Sequence, residues 1–150
     1  MNYLMLILLT MAGLEGCVSA EYGNFTSHTH HTPQALNATL LTDTVKQLEA
    51  LYPPASTQLN IGQVIENTDP FGTGLIATLR SHGYAVQDYS EQPLSNKGIR
   101  LQYLLDVPAT AEQTLYRVKI RVGDNTLTRA YVMQNDTVIP AGSWTRREDH

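Results

Sequence analysis

"YRVKIRVGDNTLTRAYVMQ", residues 116–134, is the stretch that decides the fold. Tyr116, Val118, Ile120 and Val122 alternate with Arg117, Lys119 and Arg121. That period of two belongs to a strand with one face buried and the other in water. Gly123-Asp124-Asn125 has turn chemistry, and Leu127–Gln134 returns as the second strand of a hairpin. The three basic residues therefore share one exposed face of an antiparallel sheet. Two readings of that face stay open. It is a solvated surface that discourages edge pairing, or a contact for an acidic neighbouring subunit.

Working outward, Ile99, Leu101, Tyr103, Leu105 and Val107 alternate against Arg100, Gln102 and Asp106, which predicts another strand. Tyr84–Tyr89 and Thr57–Ile61 read as shorter ones. Leu36, Leu40, Leu41, Val45, Leu48 and Leu51 follow helical spacing, opened by Thr32-Pro33 and stopped by Pro53-Pro54. This predicts a helix over 34–51. A second helix starts at Asp69-Pro70, buries Phe71, Leu75, Ile76 and Leu79, and ends at Gly83. Gly72-Thr-Gly74 lacks the Gly-Lys-Ser/Thr ending of a phosphate loop, and Ala77 stands where a dinucleotide fingerprint needs its third glycine. The expectation is one small α+β domain, with two helices packed on a mostly antiparallel sheet of about four to five strands. The order shows no alternation suited to a parallel sheet.

The chain has 150 residues, enough for one domain with a targeting segment and a linker. Its formal charge of −4 is too mild to argue for a nucleic-acid partner, and none is expected. The charge is uneven. Residues 17–96 hold two basic side chains against seven acidic ones, whereas residues 97–150 hold eight against six. With one cysteine there is no intramolecular disulfide. Neither a nucleophile elbow, nor a His-Glu-x-x-His run, nor a paired-carboxylate motif appears, so neither an enzyme nor a cofactor is expected.

Residues 3–13, YLMLILLTMAG, are too few to span a bilayer and match the apolar part of a secretory signal. Leu14-Glu-Gly-Cys17 resembles a bacterial lipobox, although Glu15 stands where a small uncharged residue is usual. This reading divides the chain into a signal peptide at 1–16, a flexible tether at 17–33 beginning at acylated Cys17, and a domain at 34–150 with a polar tail. Two or three acyl chains make membrane attachment stable where one does not. Val18 after the cysteine implies, by the same resemblance, sorting to the outer membrane on its periplasmic side. Within the tether, His28, His30 and His31 are weak candidate metal ligands, since nothing around them looks rigid. In the tail, Trp144 beside Arg146 and Arg147 has the composition of an interface anchor, and fits a tryptophan capping the core equally well.

"LEALYPPASTQL", "DPFGTGLIATLRSHGYAV" and "YRVKIRVGDNTLTRAYVMQNDTVIPAGSWTRRE" resemble segments of the TrbH-like conjugal transfer lipoproteins of type IV secretion systems. The resemblance covers residues 45–148 in segments. It implies an outer-membrane lipoprotein without catalytic residues, present in multiple copies around a ring of larger core-complex subunits. It also implies a fold loosely similar to the amino-terminal domains of secretins. Charge and aromatic placement, rather than the resemblance, make Arg117, Lys119, Arg121, Trp144 and Arg146 the expected partner-binding residues. Alternatives are a free periplasmic metal-binding lipoprotein, or a cell-envelope assembly lipoprotein unrelated to conjugation.

Overall fold

The computed structural model describes residues 34–91, 97–107 and 115–149. Helix α1 spans Gln34–Leu51, as its apolar spacing predicts. Thr32 and Pro33, expected to open it, lie outside the described residues. A 3₁₀ turn at Pro54–Ser56 leads into strand β1, Gln58–Ile61. Helix α2 spans Pro70–Ser81. Asp69 Oδ1 accepts the Phe71 and Gly72 amides at 3.0 and 2.9 Å, satisfying two of the four orphan donors of a helix start. At the other end Gly83 takes φ +88°. Its amide donates to the Arg80 carbonyl, and the Tyr84 amide donates to that of Leu79, both at 3.0–3.1 Å. This is a Schellman closure, and it needs the left-handed residue that glycine supplies.

Strand β2, Ala85–Gln87, follows at once. Then come β3, Ile99–Asp106, β4, Leu115–Val122, and β5, Asn125–Gln134. Two further strands finish the chain, β6 at Thr137–Pro140 and β7 at Thr145–Glu148. Among the described residues, all belong to a seven-stranded sheet ordered β2-β1-β3-β4-β5-β6, with β7 also on β5.

Two expectations are corrected here. The sheet has seven strands rather than four to five, because β6 and β7 divide the outer edge of β5 between them. The sheet is also partly parallel: β1 pairs in parallel with both β2 and β3, so β1-α2-β2 is a βαβ unit. The remaining pairings are antiparallel, and the sheet is mostly so. Both hairpin loops carry two residues of suitable chemistry. Gly123 has φ +57° in the β4–β5 turn, while Asn135 and Asp136 have φ +49° and +57° between β5 and β6. Two consecutive left-handed residues make the second a type I′ turn, whose twist matches the strands it joins.

Helices and sheet share one core. Leu36, Leu40, Val45 and Leu48 of α1 and Leu75 and Leu79 of α2 bury against Leu59, Leu101, Tyr103, Val118, Ile120 and Tyr131. These strand residues have the same parity, so both helices lie on one face of the sheet. Close approach explains Gly72 and Gly74 better than any phosphate chemistry. A Cβ on Gly72 would stand 1.8 Å from the Tyr103 hydroxyl oxygen, and one on Gly74 would stand 2.6 Å from a Leu41 methyl.

Candidate docking surface

Opposite the helices, the sheet presents the other parity of side chains. Cross-strand register assembles them in rows. Asp106, Arg117 and Ala130 form one row; Leu104, Lys119, Thr128 and Thr145 form the next; Gln102, Arg121, Thr126 and Arg147 form a third. Beyond Asp106 lies an apolar row, Leu115, Val132 and Ile139. Side chains in such rows stand about 5 Å apart and act on one another.

The structure thus brings Arg117, Lys119 and Arg121 together on one face, flanked by Arg100 and Arg147. The acidic groups within this array are Asp106 and Asp149. Arg117 donates to Asp106 through both Nε, at 2.9 Å to Oδ1, and Nη2. That bond raises the Arg117 pKa above its ordinary value. Asp149 lies 2.7 Å from Arg147 and 3.9 Å from Arg121. It also accepts the Thr126 hydroxyl at 2.5 Å. The hydroxyl first, then Arg147 and Arg121, hold its carboxyl below the usual range.

Trp144 and Arg146 are not part of this face. Arg146 pairs with Leu127, a core residue, so its side chain leaves on the helix side, where Nε donates to Asn125 Oδ1 at 2.8 Å. Trp144 packs partly buried against the core. Its indole Nε1 donates to Asp43 Oδ2 on α1 at 3.1 Å. The same carboxylate accepts Arg129 Nη1 at 3.0 and 2.9 Å and the Tyr131 hydroxyl at 2.6 Å. Burial first, and then this bond, push the Tyr131 pKa up. Arg129 completes its fan of donors through Nε to the Gly142 carbonyl, 2.9 Å away. One aspartate therefore ties α1, β5 and the bend before β7 together.

A groove lies at the far end of the sheet, at the carboxyl ends of β1 and β2. Its volume is about 400 Å³, and Val64, Ile65, Ile76 and Tyr89 supply its apolar lining. Val64 and Tyr89 are 59% and 40% exposed, high for large apolar side chains. Behind the groove the hydroxyl of buried Tyr103 donates to Asp69 Oδ2, and Gln63 exchanges two hydrogen bonds with the Tyr103 backbone. This buried set anchors the start of α2.

Among the described residues, no group of three or more His, Cys, Asp or Glu side chains is placed to hold a metal. No described helix is long and apolar enough to cross a membrane. Cys17, His28, His30 and His31 lie outside the described residues.

Neither the curated proteins nor the solved structures contain a match to the chain, so the expected likeness to secretin amino-terminal domains gains no support there. A family model described as conjugal transfer protein TrbH matches residues 19–148, which takes in every described element of the fold. The chain belongs to the TrbH family of conjugal transfer proteins.

Proposed function

We propose that this chain is a lipid-anchored structural component of the outer-membrane core complex through which conjugal plasmid transfer proceeds. Membership of a conjugal transfer family supports the process. The lipobox-like Leu14-Glu-Gly-Cys17 supports the anchor: cleavage before Cys17 and acylation of that residue hold the chain on the periplasmic side of the outer membrane. Residues 18–33 then form the tether between lipid and domain.

The observation that carries the docking role is the sheet face that, among the described residues, neither helix covers, with Arg117, Lys119 and Arg121 at its centre. Both helices lie on the opposite side, so a channel subunit can approach the rows directly. A basic face bordered by the apolar row of Leu115, Val132 and Ile139 suits a partner surface that is acidic at its middle and apolar at one margin. Each contact is weak alone. Confinement to the membrane and repetition around a ring raise the effective concentration and make the assembly stable. The chemistry is recognition and positioning.

Alanine at Arg117, Lys119 and Arg121 together tests this. The expected result is normal abundance of the chain, loss of co-isolation with the transfer apparatus, and a marked fall in plasmid transfer. Unchanged co-isolation and transfer would remove the face from the account.

A further inference from the structure

Among the described residues, the large apolar side chains left exposed are Val64 and Tyr89, and both line the groove at the carboxyl ends of β1 and β2. Ile65 and Ile76 extend its apolar wall, and Asn67 and Thr73 place polar groups beside them. At its rim Arg80 and Asp88 neutralise one another across 2.9 Å. The groove therefore suits an occupant that is apolar and nearly uncharged, unlike the acidic surface that fits Arg117, Lys119 and Arg121.

The helices decide which segment reaches it. Asn37 Nδ2 donates to the Pro70 carbonyl at 2.9 Å near the starts of α1 and α2, and His82 meets Glu49 at 2.7 Å near their ends. The two helices therefore run parallel, and both begin at the end of the domain that holds the groove. Gly74 faces α1, where a Cβ would strike Leu41, whereas Thr73, Ile76 and Arg80 lie on the groove stripe of α2. A segment leading into Gln34 has to cross one helix start, about 10 Å wide. Phe25 stands nine positions before Gln34, a stretch that reaches about 30 Å when extended. Residues 18–33 also have the required character. They carry the aromatics Tyr22 and Phe25, with Glu21 as their one carboxylate and no lysine or arginine. The TrbH family match begins at residue 19, ahead of α1, so the family pattern takes in this segment together with the fold.

We propose that the chain covers its own groove, with Tyr22 and Phe25 packed on Val64, Ile65, Ile76 and Tyr89. A segment on the same chain is present at an effective concentration on the order of millimolar, so a modest apolar contact holds it against outside competitors. The docking itself does not rest on acylation of Cys17. Where Cys17 is anchored, as proposed above, docking has a further effect. It shortens the reach between lipid and domain from about 60 Å, Cys17 to Gln34, to about 17 Å, Cys17 to Tyr22. The groove end then turns toward the membrane, and the rows of Arg117, Lys119 and Arg121 stand to the side, open to a channel subunit.

The test is chymotrypsin cleavage after Tyr22 and Phe25 in the full chain in detergent, read by fragment mass beside a free peptide of residues 18–33. Cleavage needs the undocked segment, so the wild type should be cut about tenfold more slowly than the peptide. The double substitution V64D/Y89S puts a charge and a hydroxyl into the groove. Both residues are exposed, so the urea midpoint should stay where it is while cleavage rises to the rate of the peptide. Protection should also be independent of chain concentration. A wild type cut as fast as the peptide would leave the groove to another protein and overturn the proposal. Protection that survives V64D/Y89S would overturn it too, and protection that grows with concentration would give the groove to a second copy instead.

Discussion

Replacing Asp43 with alanine removes the acceptor that joins α1, β5 and the segment before β7. The carboxylate receives Arg129 twice, Tyr131 once and Trp144 once. Truncation leaves the hydroxyl of fully buried Tyr131 without an acceptor, at a cost of about 1–3 kcal/mol. Arg129 is 19% exposed and Trp144 half-buried, so water reaches both and each loses only part of that amount. The sum is about 3 kcal/mol, at the lower end of the cost of breaking a buried ion pair. In urea this moves the unfolding midpoint down by about 1–3 M. Trp144 is the sole tryptophan, so its emission reports the same bond in the native state and should shift to the red. Asp43→Asn, which keeps an acceptor oxygen but not the charge, should fall between wild type and alanine. A loss below about 1 kcal/mol with unchanged emission would refute the reasoning and release Trp144 as a surface residue.

Other outcomes follow from the buried tyrosines and the glycines beside them. Gly72→Ala should destabilise by about 1–3 kcal/mol through overpacking against Tyr103. Tyr103→Phe in the same chain should recover part of that loss, measured by thermal unfolding, because it deletes the oxygen a Cβ would strike. Stability should also fall as pH rises above 10. Burial first, and then Glu49, push the Tyr84 hydroxyl from its ordinary 10 up to about 12, and Tyr103 and Tyr131 are raised as well. The folded chain keeps these protons while the unfolded chain loses them, so the stabilisation present below pH 10 declines as pH climbs towards 12. Tyrosinate absorbance followed beside circular dichroism checks this. Ionisation of the buried tyrosines should coincide with unfolding, and full tyrosinate formation in a folded chain would contradict it.

The elements the sequence declares are those whose information is local. Asp69-Pro70 and Gly83 punctuate α2, and the strict alternation from Ile99 to Val122 writes β3 and β4 into the chain. β6 and β7 were not legible in this way. Thr137–Pro140 holds only four residues and ends in proline, and Thr145–Glu148 is exposed at every position. Both are strands only because β5 offers them an edge, and that partnership lies in register. The parallel pairing of β1 was hidden for a similar reason, since a four-residue strand carries no direction in its pattern. The Asp43 cluster had a signal that periodicity supplies. Asp43 falls seven residues after Leu36 on the apolar stripe of α1, and Arg129 occupies an inward position between Leu127 and Tyr131. Opposite charges on two inward faces imply an ion pair once the elements are known to meet.

The central claim joins an anchor at Cys17 to a role in conjugal transfer. Its most direct measurement is the plasmid transfer frequency of donor cells that lack this chain and are supplied with the Cys17→Ser variant. The domain at 34–149 is untouched by that change, so the variant can accumulate folded. The account predicts transfer close to that of donors without the chain, and full recovery with the wild type. Transfer at the wild-type level from the serine variant, at equal abundance, would contradict it.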